Sequence, residues 1–124
     1  MSDDARPLIA NAARSIIEEV PALKPLKLVV GIDMRGRGDV QMFRLEMPSM
    51  EVTKDIATDA KIRVDMQRAF FNSMVEHDAK VADWREAFMY GQAKATGNPQ
   101  FLKLIATVVE KQEERNRLRR SRSA

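Results

Sequence analysis

The sequence predicts an α+β fold, a five-stranded and mainly antiparallel sheet with helices covering one face. Three observations carry that prediction. Apolar and polar residues alternate through Leu26–Met47, and the alternation breaks at Gly36-Arg37-Gly38-Asp39, which reads as two strands joined by a turn. At Gln67 the apolar period changes from two residues to that of a helix. The stretch from Ala87 to Pro99 then holds a helix end, a helix-stopping Gly91, a short strand and a Gly97-Asn98-Pro99 turn. A last strand is thereby inserted between two helices.

The elements follow in order. Leu8, Ala12, Ile16 and Val20 recur every fourth residue, with Ile9, Ala13 and Ile17 beside them, so the chain opens with an amphipathic helix. Asp3 and Asp4 can cap it, and Pro7 fits its first turn. Pro21 and Pro25 end it and bracket a linker. In the first strand Leu26, Leu28, Val30, Ile32 and Met34 share a side; in the second Phe43, Leu45 and Met47 do. Pro48 interrupts, a short strand spans Met50–Thr53, and Ile62, Val64 and Met66 mark a fourth. Phe70, Met74 and His77 then share one side of a helix, with Phe71 and Val75 beside them. A second helix over Val81–Tyr90 is expected to point Trp84, Phe88 and Met89 inward. The fifth strand is Gln92–Thr96. The last helix is expected to bury Phe101, Leu104, Ile105, Val108 and Val109 and turns polar from Lys111.

At 124 residues the chain makes one domain and buries enough surface to fold without metal or disulfide. It has no Cys, which removes thiolate metal sites and Cys nucleophiles and suits a reducing compartment. No apolar run reaches the roughly 18 residues of a membrane span, and the acidic start MSDDARP is unlike a signal peptide. A cytoplasmic location is expected. Charge is unevenly spread. Six basic and two acidic residues from Lys111 onward give that segment +4, and the remaining 15 basic and 16 acidic residues leave the body at −1. Eight Met residues suit an ordinary core, or a cavity that adapts to varied apolar cargo.

Catalytic chemistry finds little support. His77 is the lone His, and its neighbours Glu76 and Asp78 do not converge with it on a helix, so it reads as a solvated or helix-edge residue. Ser15, Ser49 and Ser73 lack a nucleophile context. Gly36 and Gly38 open no phosphate loop, and Arg37-Gly38-Asp39 reads as a hairpin turn. Gly97 supplies a positive φ, and Asn98 caps the helix that begins near Pro99. By strand parity Lys94 lies opposite Ala93 and Ala95, which places it outside.

The arrangement of Gly91, Lys94, Gly97 and Asn98 between two apolar helices resembles the C-terminal third of the sterol carrier protein 2 (SCP2) family. Asp59–Met74 resembles that family's strand running directly into a helix, and Leu26–Met47 its first two strands. The resemblance covers about residues 5–110 and rests on order and spacing more than on identity. Val75–Glu86 is more polar than the family pattern, and the terminal Ser-Arg-Ser-Ala is not a peroxisomal signal. What the resemblance implies is an SCP2-like lipid-binding domain over residues 1–112, followed by a basic helix end and disordered tail over 113–124. A lipid or fatty-acyl ligand would sit in a cavity lined by Phe70, Phe71, Met74, Trp84, Phe88, Met89, Phe101, Leu102 and Ile105. No catalytic residue, metal or cofactor is expected. The alternative is an accessory domain of a lipid or quinone pathway, with a filled core and a protein partner. For the Arg-rich tail three readings stand, in this order: a solvated helix end, transient contact with an anionic membrane, and nucleic-acid binding, which lacks interleaved aromatics.

Overall fold

A computed structural model describes residues 5–123, with side chains described as far as Arg119. The expected Asp3 and Asp4 cap lies outside the described residues. The elements are α1 (Ala5–Glu19), a 3₁₀ helix (Pro21–Leu26), β1 (Val29–Arg35), β2 (Val40–Glu46), β3 (Glu51–Lys54), β4 (Ile62–Gln67), α2 (Arg68–Glu76), α3 (Val81–Met89), β5 (Ala93–Gly97) and α4 (Pro99–Ser123). The expected linker at Pro21 is therefore a 3₁₀ helix that takes Leu26 out of β1. It closes on Lys27, which sits in the left-handed region at φ 50°.

The strands lie in the order β3-β2-β1-β4-β5. Neighbours are antiparallel except β1 and β4, which run parallel with Val30 beside Ile62 and Arg35 beside Gln67. Alternation sets the two faces. Ile32, Met34, Phe43, Leu45, Met66 and Ala93 point into one core with Ala5, Ile9 and Ala13 of α1, Phe71 of α2, and Trp84 and Ala87 of α3. α1 covers the β2–β3 side, while α2 and α3 cover β4 and β5. The buried stripe of α1 is thus Ala5-Ile9-Ala13, with Leu8, Ala12 and Ile16 at its margin.

Helix ends in this layer are built from backbone groups and carboxylates. α3 closes in a Schellman motif: Gly91 at φ 77° donates to the Phe88 carbonyl, and Gln92 donates to that of Ala87 at 2.9 Å. α2 closes in the same way with Asp78 in the left-handed position, Asp78 donating to Val75 and Ala79 to Met74. At the start of α3 the Lys80 N–H reaches Asp83 Oδ2 (2.8 Å) and the Val81 N–H reaches Glu19 Oε2 (2.9 Å), so two unpaired N–H groups meet negative charge.

The outer face of the sheet is ionic. Arg35 pairs with Asp65 in a two-pronged contact at 2.7 and 2.6 Å, Arg63 with Asp33 at 3.0 Å, and Arg44 with Asp59 at 2.8 Å. Arg63 also donates to the Ile56 carbonyl. Arg44 and Arg63 thereby tie down the connection over residues 55–61, which crosses behind β2 and β1 to join β3 to β4. The hydrogen bond from Arg35 holds the Asp65 carboxyl below the usual carboxylate range, against desolvation and with help from the charges of Arg35 and Lys94. A carboxylate lowered in the folded state adds stability that is complete above its unfolded value, about 3.9, and fades as pH falls through the folded one. Asp65→Asn is therefore expected to melt below wild type at neutral pH. The gap should begin to narrow as pH falls below about 3.9, where the unfolded chain takes up the proton, and close only below the lowered value of folded Asp65. Thermal melts across that range check it.

α4 corrects two expectations. It continues to Ser123, so the segment beyond Lys111 is helical where a helix end and disordered tail are expected over 113–124. Gln, Glu and Arg are good helix formers, Gln112 Nε2 donates to Asn116 Oδ1 (3.1 Å), and Arg85 of α3 holds Glu113 at 2.7 Å. Leu104, expected inward, is exposed. Ile105, Val108 and Val109, also expected inward, pack on a second small core of Val20, Leu23 and Val81.

Candidate functional site

Two antiparallel helices build the apolar face that stands over the sheet. Phe70, Phe71 and Met74 project from α2, and Trp84 meets them from α3. The Trp84 ring lies 6.5 Å from Phe70, edge to face at 88°, and 6.3 Å from Phe71. Such contacts add to burial because the positive ring edge faces the negative ring face. Phe71 and Trp84 are buried, while Phe70 and Met74 are half-buried at the cluster's margin. The sheet supplies the floor through the register partners Met66 and Ala93, with half-buried Val64 next along β4 on the same face.

The nine expected lining residues fall into three groups. Phe70, Phe71, Met74 and Trp84 come together in one cluster. Ile105 belongs to the second core with Val81 and Leu23, and Phe101 and Leu102 are half-buried at the start of α4. Phe88 and Met89 face outward, 38% and 67% exposed, where the sequence reading has them inward. The helical phase explains this. Val81, Trp84 and Ala87 occupy the inward stripe, and small Ala87 takes the place nearest the sheet. Phe88 and Met89 then fall beyond it in the last turn.

Met66 and Ala93 form the floor, and neither is among the nine expected lining residues. Their signal was the strand alternation that pairs them in register. Ala95 has the same parity as Ala93 yet is exposed, because β5 is an edge strand and nothing covers it there. A separate groove of about 520 Å³ runs between Glu19, Lys80, Val81 and the second half of α4 at Gln112, Glu113 and Asn116. A second of about 490 Å³ shares Glu19, Gln112 and Asn116 with it. Both lie away from the aromatic cluster. His77 is exposed at the end of α2. No group of three or more His, Asp or Glu able to hold a metal occurs among the described residues. No helix among them is long and apolar enough to cross a membrane.

No protein-family model matches the sequence, and no curated protein matches it. Solved structures do. Sterol carrier protein 2 from Yarrowia lipolytica aligns at TM-score 0.54 and 18% identity, covering 88% of this chain and 94% of that one. The sterol carrier protein domain 2 of Helicoverpa armigera aligns at 0.55 and 14%, covering 85% and 83%. Palmitated SCP2L2 from Aedes aegypti aligns at 0.53 and 14%, covering 82% and 93%. The fold is SCP2-like.

Within the SCP2-like fold the residues that carried the resemblance have structural work. Gly91 ends α3 and Gly97, at φ 130°, turns β5 into α4. Asn98 Oδ1 accepts from the Gln100 N–H at 2.9 Å and caps α4. Lys94 sits beside Asp65 on the outer face, as its parity requires.

Proposed function

We propose that this protein binds a lipid or another elongated apolar molecule without chemistry, and carries or presents it. What supports the reading is the aromatic cluster Phe70–Phe71–Trp84, set on the sheet of an SCP2-like fold and left half-open at Phe70 and Met74. One structural relative, SCP2L2, was solved in palmitated form. A fatty chain would enter between α2, α3 and the start of α4, with Phe101 and Leu102 as the remaining apolar wall. Each buried methylene contributes about 0.8 kcal/mol against water, and far less against a membrane, where the chain already lies in hydrocarbon. Partition is therefore reversible, as a carrier needs.

One observation favours a second reading, an accessory domain with a filled core and a protein partner. Phe43, Met34, Phe71 and Trp84 are buried, and the two grooves described lie elsewhere. Native mass spectrometry separates the two. Co-purified lipid, or uptake of a fluorescent fatty-acid probe with loss on Met74→Asp, is the expected outcome for the carrier. Repeated absence of both sinks it and leaves the accessory role.

A further inference from the structure

β5 leaves the sheet with an open edge. Gly97 stands opposite Ile62 in the ladder, and the Asn98 N–H donates to the Lys61 carbonyl. In an antiparallel ladder that bond makes Gly97 and Ile62 a non-hydrogen-bonded pair. Lys94 and Thr96 therefore direct their N–H and C=O groups to β4, while Ala95 and Gly97 turn theirs outward. Both Ala95 and Gly97 are exposed, and among the described residues no bond outside the sheet ladder uses those groups. Buried Ala93 marks where the open stretch begins. The other edge is protected. β3 is short, carries Glu51 and Lys54 at its ends, and has α1 packed over it. Lys54 shares the helix-covered side with Phe43, and an inward-facing charge guards an edge against strand addition. β5 has no such device. Its outward-bonding residues carry only a methyl group and a hydrogen, its one charge, Lys94, lies on the outer face, and its ladder runs without Pro or bulge.

The two helices that flank β5 point to its occupant. α3 ends just before the strand and α4 begins just after it. α3 has no basic residue in its last turn, where Glu86 adds to the negative end of the helix. α4 has no acidic residue in its first turn, and Lys103 follows close behind. Neither helix end is compensated by charge from its own turn. A second copy laid antiparallel along β5 reverses the order of these elements. The negative end of α3 in each copy then faces the positive end of α4 in the other. Exposed Met89 and Tyr90 meet the start of α4 across the same boundary, where Leu104 is exposed and Phe101 half-buried. A foreign peptide brings neither helix end. A peptide-binding edge also reads side chains in a pocket beside the strand, and neither groove described borders β5.

We propose that two copies of this chain join through β5, the strands antiparallel and Thr96 opposite the partner's Thr96. Ala95 of each copy then exchanges hydrogen bonds with Gly97 of the other, and two sheets become one continuous sheet. The two Lys94 side chains stay apart, each opposite the partner's Asn98. This pairing is independent of whether the chain carries a lipid, and it is measured without cargo.

Analytical ultracentrifugation of the full chain over a range of concentrations, with amide exchange read residue by residue, tests the pairing. A reversible dimer is expected, with protection of the Ala95 and Gly97 N–H groups that rises with concentration. Ala95→Pro removes an outward N–H and no bond to β4, so it is expected to weaken association about tenfold or more while the chain still folds. Lys54→Pro is the matched control on the other edge. The Asp55 N–H donates to the Met42 carbonyl beside the Phe43–Lys54 pair, which turns the Lys54 N–H outward, and association is expected to be unchanged. Thermal melts confirm that each variant folds, and Ala95→Lys, a guarding charge at the same position, keeps the test valid if Ala95→Pro does not. A chain that is monomeric up to about 1 mM overturns the proposal, even if its β5 edge takes up a foreign extended peptide. So does a dimer that Ala95→Pro and Ala95→Lys leave intact, or one that forms without protecting Ala95 and Gly97.

Discussion

Gly97→Ala is expected to destabilise the protein by about 3 kcal/mol or more. Two costs act together. The backbone at Gly97 has φ 130°, which L side chains rarely adopt, and a Cβ there would meet the Lys61 carbonyl oxygen as well as stand 3.0 Å from the Ile62 Cα. Neither neighbour is the movable end of a side chain. Ile62 opens β4 and pairs with Gly97, and Lys61 just before it accepts the Asn98 N–H at 2.9 Å. Relief therefore requires β5 to part from β4 or α4 to lose its start. In a domain of this size the melting temperature should fall by about 10 °C or more. Gly38→Ala is the control. It shares a positive φ, at 77°, but nothing lies within 4 Å of its added methyl, so only backbone strain of about 1 kcal/mol is expected. Equal melting of the two variants would mean that β5 does not lie against β4 in this register.

Trp84→Ala carries the second large effect, about 3–5 kcal/mol. Trp84 is 8% exposed and touches both Phe70 and Phe71, so its removal leaves a void between α2 and α3 that neither helix can close. Their caps, at Asp78 and Gly91, fix where each helix ends. Urea unfolding measures the loss, and Trp84→Phe should recover much of it by restoring volume. The same variant discriminates the two functional readings at a temperature where it is folded. A carrier should lose affinity for a fluorescent fatty-acid probe, because the ring that lines the site is gone. A filled core should gain it, because an apolar void accepts apolar ligands.

The helix and strand periods were legible because they are local. Leu28-Val30-Ile32-Met34 and Phe43-Leu45-Met47 announce their faces by parity, and all but half-buried Val30 and Met47 are buried. Gly91 and Gly97-Asn98 announced a helix stop and a capped start, and both are found. The stop of α2 was less legible, since Asp78 rather than Gly takes the left-handed position. The aromatic half of the candidate site followed from helical spacing. Its outer half did not, because Phe88 and Ala87 are neighbours in sequence and only the packing of Val81 and Trp84 decides which of them faces the sheet.

Sequence by itself determined the kinds of element, their order and the apolar side of each strand, since these follow from side-chain alternation and from the backbone freedom of single residues. Tertiary structure alone decided that β1 and β4 run side by side in parallel, that α4 packs on Val20, Leu23 and Val81, and that Phe88, Met89 and Tyr90 are left facing solvent. The physical reason is that burial depends on partners far away in the chain. A periodic stripe states that a helix has an apolar side, while the neighbour that fills the space determines which residues of that side are covered.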